Sequence, residues 1–176
     1  SIDCSVGTND CKISYYNATE QYLYIADCDS ETCNIGTTTL LDGDTGCNLT
    51  GCQTAETIGT ASQIDCSNGA TDCKVAYINS TEDNLYLADC DNATCSSGTA
   101  TSIATSDSGT NKLGLDCSNG SDDCKISHYG AVLDTELYFT DCSNATCSTK
   151  TTTLLDGGTL CLLTNCQQSD NVGIAS

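Results

Sequence analysis

The cysteines of this chain follow one grammar, written three times. Asp3 to Cys33 reads DCSVGTNDCKISYYNATEQYLYIADCDSETC, Asp65 to Cys95 reads DCSNGATDCKVAYINSTEDNLYLADCDNATC, and Asp116 to Cys147 reads DCSNGSDDCKISHYGAVLDTELYFTDCSNATC. The spacing is C-x6-C-x16-C-x4-C in the first two segments; in the third the central spacer has one extra residue. The first and third continue with x13-C-x4-C, which the second lacks. A chain built this way is an array of one small module, because each repeat is one supersecondary unit that needs neighbours to bury its apolar faces. The units are placed at 1–63, 64–114 and 115–176.

Sixteen cysteines in 176 residues mark an oxidising, extracellular setting, since the cytosol keeps such thiols reduced. The second unit has lost the counterparts of Cys47 and Cys52 together, so those two are expected to bond to each other. The simplest scheme is then local throughout. It pairs Cys4 with Cys11, Cys28 with Cys33, Cys47 with Cys52, Cys66 with Cys73, Cys90 with Cys95, Cys117 with Cys124, Cys142 with Cys147, and Cys161 with Cys166. A crossed connectivity inside a repeat is the competing arrangement. Loops this small contribute roughly 2–2.5 kcal/mol each in the chain-entropy description. Zinc thiolate sites favour closer spacing and often histidine. The chain has one histidine, so no metal is expected.

The 24 acidic residues face five lysines and no arginine, a net charge of −19. That charge repels phosphate backbones and anionic lipid, so no nucleic-acid partner is expected. No apolar run reaches the length of a membrane span, so no membrane insertion is expected either.

Alternation and β-branched or aromatic residues predict strands. These cover Lys12–Tyr16, Leu23–Asp27 and Thr37–Leu41, with counterparts at Lys74–Ile78, Leu85–Asp89 and Thr99–Ala104, then at Lys125–Tyr129, Leu137–Asp141 and Thr151–Leu155. A short strand around Ile2, Ile64 and Leu115 precedes each first cysteine. Ser67-Asn-Gly69 and Ser118-Asn-Gly120 suit hairpin turns. The fold class is therefore all-β: three tandem four-stranded antiparallel sheets, stapled by disulfides. Their central strands carry apolar groups on both faces, so the sheets are expected to lie between neighbours.

The run I-S-Y-Y-N-A-T followed by L-Y-x-A-D-C resembles the blades of β-propeller-type repeats in secreted and surface proteins. The resemblance covers about the first thirty residues of each unit and implies four-stranded blades. Three blades are too few to close a typical propeller. Stacking along an axis and completion of a ring or fibre by several chains are both left open.

Little in the chain points to catalysis. His128 stands where the other repeats have Tyr15 and Tyr77, which reads as a packing substitute. Nucleophilic catalysis needs a base beside its serine or cysteine, and no other histidine exists. No enzyme activity and no cofactor are expected. Aspartate precedes many cysteines: Asp3, Asp10, Asp27, Asp65, Asp72, Asp89, Asp116, Asp123 and Asp141. A position repeated three times argues for structure, such as capping a turn. Asp42-Gly-Asp44-Thr-Gly46 has a faint calcium-loop look, but Asp156-Gly-Gly-Thr lacks the second carboxylate, and calcium needs six to eight oxygens.

Six N-x-S/T sequons occur, at Asn17, Asn48, Asn79, Asn92, Asn119 and Asn144. Asn17 and Asn79 share one repeat position and Asn92 and Asn144 another, all in predicted turns where sugars can project. Covalent glycans are expected. The last residues, Asn171-Val-Gly-Ile-Ala-Ser176, resemble Glu56–Ser62, which runs directly into Gln63-Ile64-Asp65-Cys66; the chain begins Ser1-Ile2-Asp3-Cys4. The expectation is a longer tandem array or ends that meet in space.

Together these readings predict an extracellular or cell-surface structural glycoprotein, the repeat unit of a filament or appendage assembled head-to-tail. The competing function is a carbohydrate-binding, propeller-like lectin module with Tyr24, Tyr86 and Tyr138 in equivalent pockets, although a repeated strand tyrosine is more often core.

Overall fold

The computed structural model describes residues 1–54, 56–105, 112–130, 136–157, 163, 164 and 166. They contain twelve strands and no helix. The first sheet is β1 (Ile2–Asp3), β2 (Cys11–Asn17), β3 (Tyr22–Cys28) and β4 (Gly36–Asp42). The second is β5 (Ile58–Asp65), β6 (Lys74–Asn79), β7 (Asn84–Cys90) and β8 (Gly98–Thr105). The third is β9 (Leu113–Asp116), β10 (Lys125–Gly130), β11 (Glu136–Cys142) and β12 (Lys150–Asp156). Each is an antiparallel meander with its strands in chain order.

The repeated text gives repeated register. Tyr15 faces Tyr24, Tyr77 faces Tyr86 and His128 faces Tyr138 across the two central strands. A bulge falls at the same place in all three sheets, between Leu23 and Tyr24, Leu85 and Tyr86, and Leu137 and Tyr138. The three units differ at their starts. β5 begins at Ile58, which pairs with Asn79 and is buried. It therefore runs across the 63/64 boundary read from the sequence, and β9 likewise begins before residue 115.

Seven disulfides staple the sheets, and all are local: Cys4–Cys11, Cys28–Cys33, Cys47–Cys52, Cys66–Cys73, Cys90–Cys95, Cys117–Cys124 and Cys142–Cys147. Cys166 is also disulfide-bonded, while Cys161 lies outside the described residues. One staple closes the loop between the first two strands of each sheet. A second closes the loop after the third strand, where Cys33, Cys95 and Cys147 all adopt a left-handed backbone with φ near 52–55°. Bonds of this number belong to an oxidising compartment. Among the described residues, no helix is long and apolar enough to cross a membrane.

Two apolar cores separate the three sheets. Leu23, Ile25 and Leu41 of the first sheet meet Ile58, Ile64, Val75 and Tyr77 of the second. The opposite face of the second sheet, with Ala76, Ile78, Leu85 and Leu87, meets Ile126 and the staples of the third. Each large side chain removed from water here contributes about 1.5–3 kcal/mol. Every residue of β6 is buried, so the middle sheet is sandwiched as its two apolar faces require. Among the described residues, the first and third sheets each contribute to one of these two cores, while the second contributes to both.

Candidate functional site

The features that repeat in three dimensions lie at the bases of the sheets and at the contacts between them. The aspartates sort into two groups. At Asp3, Asp65 and Asp116 one carboxylate oxygen accepts from the backbone N–H two residues on, at Ser5 (2.6 Å), Ser67 (2.8 Å) and Ser118 (2.9 Å). This is turn capping. The bonds from Ser118 hold the Asp116 carboxyl below its ordinary value.

The other oxygen of Asp3 and of Asp65 reaches into the next sheet. It accepts from the backbone N–H of Cys66 (2.5 Å) and of Cys117 (2.7 Å) respectively. The first and second units thus each clasp the first cysteine of the unit that follows. Asn68 adds to the second clasp by donating to the carbonyl of Cys117 at 2.8 Å.

The remaining six aspartates hold lysines. Lys12 is bonded by Asp10 and Asp27, Lys74 by Asp72 and Asp89, and Lys125 by Asp123 and Asp141. Lys12 and Lys74 are buried. Burial alone lowers the pKa of an ammonium, but here the two carboxylates outweigh it and hold both lysines above their ordinary value. An ammonium buried without such partners would lose its charge. This triad was missed in reading the sequence, although D-C-K occurs three times and supplies two of its three members.

A third device joins the first sheet to the second. The loop closed by Cys47–Cys52 inserts Leu49 into the shared core. Its Thr50 N–H donates to Gly98 O at 2.9 Å and its carbonyl accepts from Ala100 N–H at 2.8 Å, capping the outer edge of β8. Gly51 is required there: its φ is 84°, and an added Cβ would lie 2.6 Å from Ala100 O. The second unit lacks these cysteines.

Other residues marked in the sequence are placed as follows. His128 is buried, stacks on Tyr138 with ring centroids 5.6 Å apart, and shares a hydrogen bond with Thr140 through Nε2 (3.0 Å). Tyr24 and Tyr86 stack on Tyr15 and Tyr77 and donate to Glu20 (2.6 Å) and Glu82 (2.9 Å); Tyr138 donates to Glu136. Tyr86 is core, whereas Tyr24 and Tyr138 are half-buried. Asp42 is fully buried and serves the fold. It accepts from Tyr77 Oη (2.6 Å), from Gln53 N–H (2.6 Å) and from its neighbour Gly43 N–H (2.8 Å). Burial pushes its carboxyl above the ordinary value against the pull of these donors. Cys47 and Cys52 approach it, but their sulfurs are bonded to each other and offer no thiolate.

The sequons differ in environment. Asn48 and Asn119 are exposed; Asn17, Asn92 and Asn144 are half-buried; Asn79 is buried. Asn79 donates its amide to Glu56, and Asn92 donates to Ser97 Oγ at 2.7 Å.

No family model, no curated protein and no solved structure matches this chain.

Proposed function

We propose that this protein is an extracellular structural glycoprotein, the unit of a filament or surface appendage that grows head-to-tail. The observation that carries this reading is the contrast between the middle sheet and the outer two. The middle sheet is covered on both faces, with its first cysteine clasped from before and its own aspartate clasping onward. In the outer sheets, counterparts of buried contact residues are exposed: Ile2 and Tyr15 in the first unit and Leu163 in the third. A self-complementary pair of unlike faces is a heterologous interface, and one that does not close builds a fibre.

The repeated devices are all structural. Disulfides, buried lysine triads and inter-sheet clasps stiffen the chain, which suits a load-bearing role outside the cell. The blade-like reading of each sheet fits the same picture, with the sheets following one another along an axis. We read the chain as non-enzymatic.

Sedimentation of native, unreduced protein over a hundredfold concentration range, with negative-stain images of the same samples, tests this reading. Polymers that lengthen with concentration are expected. Uniform particles of one mass at every concentration would overturn it.

A further inference from the structure

The contact between the first and second sheets is a pattern whose two halves recur in the third and first sheets, with Leu163 of the one and Ile2 and Tyr15 of the other exposed. We infer that the outer face of the third sheet docks onto the outer face of the first sheet of a second copy, repeating that contact. This inference deepens the filament reading and rests on it.

Each half is identified by what its counterpart does inside the chain. Leu49 is 5% exposed because it plugs the next sheet; Leu163, at the same place in the third repeat, is 52% exposed. On the receiving side, Ile64 (6%) and Tyr77 (0%) lie under the first sheet, whereas their counterparts Ile2 (61%) and Tyr15 (37%) face water. Asp3 and Asp65 clasp the cysteine of the following unit, while Asp116 bonds Ser118 and, among the described residues, no other sheet.

Register then dictates the docked geometry. The Asp116 carboxylate meets the backbone N–H of Cys4 in the second copy, as Asp65 meets Cys117. Asn119 stands where Asn68 stands and donates to the Cys4 carbonyl. Thr164 replaces Thr50 and caps β4 at Gly36 and Thr38, the counterparts of Gly98 and Ala100. That edge is exposed from Gly36 to Thr38, and an uncovered edge strand is a template for pairing.

The test uses two full-length variants with opposite ends blocked. Leu163→Glu leaves the receiving face intact, and Tyr15→Glu leaves the docking face intact. Both changes are at exposed positions, and circular dichroism with a non-reducing peptide map verifies each fold. By light scattering, each variant alone is expected to remain monomeric under conditions where the unaltered protein polymerises. An equimolar mixture is expected to give one-to-one dimers, since one live end of each kind remains. Variants that polymerise like the unaltered protein, or a mixture that stays monomeric, would overturn the inference while leaving the filament reading in place. An unaltered protein that closes into two-copy rings blocked by both variants would keep this interface and overturn the filament. An unaltered protein that never associates would overturn both.

Discussion

One carboxylate oxygen of Asp65 accepts from the backbone N–H of Cys117 at 2.7 Å, joining the base of the second sheet to the base of the third. The Cys117 side chain is fully buried beside it, so the amide has little water to turn to. Asp65→Ala leaves that donor unsatisfied and is expected to destabilise the oxidised protein by about 1–3 kcal/mol. Asp116→Ala, made at the same repeat position, removes only the local turn bonds and should shift the midpoint less. Urea unfolding of the two variants side by side checks this, and equal shifts would contradict the clasp.

The lysine triads predict an asymmetry between sheets. Removing one partner of a buried charge costs about 3–5 kcal/mol, so Asp89→Ala should lower the melting temperature sharply. Asp141→Ala should do much less, because Lys125 and Asp141 remain partly exposed. Differential scanning calorimetry separates the two. Equal losses would mean that burial does not set the value of the triad.

Stability should fall on the alkaline side. Lys12 and Lys74 have folded pKa values above 10.5, so the stability they contribute is complete below the unfolded value and is lost as pH rises through the folded one. Tyr24 and Tyr86 act with the same sign. Hydrogen bonding to Glu20 comes first for Tyr24 and burial first for Tyr86, and both phenols are pushed from 10.0 up to about 12. Melting followed by circular dichroism should show a decline that begins above pH 10. A melting temperature unchanged to pH 12 would contradict this.

Leu49 gives a direct measure of the contact between the first two sheets. Leu49→Ala should cost about 2–5 kcal/mol, the range for a buried leucine. The equivalent Leu163→Ala should leave the isolated chain unaffected in urea unfolding, because that side chain is exposed.

Glycopeptide mapping tests the sequons one by one. Sugar is expected at Asn48, which is exposed. It is not expected at Asn79, which is buried with its amide bonded to Glu56. Asn119 is exposed in the isolated chain, but the docked geometry needs its amide, so it should be bare in assembled material. Full occupancy of Asn119 in polymers would count against that geometry.

Much of this architecture was legible in the sequence because the chain supplies its own comparison. The joint loss of two cysteines from the second unit marks Cys47 and Cys52 as partners, and thrice-repeated alternation marks the strands. What escaped notice depends on register and on contacts between sheets. Asp27 lies opposite Lys12 only once β2 and β3 are paired, so D-C-K reads as turn chemistry until then. Leu49 lies in a six-residue loop whose sequence resembles any polar turn with one apolar residue. Tyr15 and Tyr77 are the same residue at the same repeat position, and only the neighbouring sheet makes one half-exposed and the other core. The start of β5 at Ile58 was hidden for a similar reason, since its place depends on its pairing with Asn79 and on its burial in the core shared with the first sheet.

Cryo-electron microscopy of native, unreduced assemblies tests the central claim most directly. The account predicts a polar fibre in which the third sheet of every copy lies on the first sheet of the next, with Asp116 against the Cys4 amide and Leu163 beside β4. A fibre whose copies meet through like faces, or a field of single three-sheet particles, would contradict it.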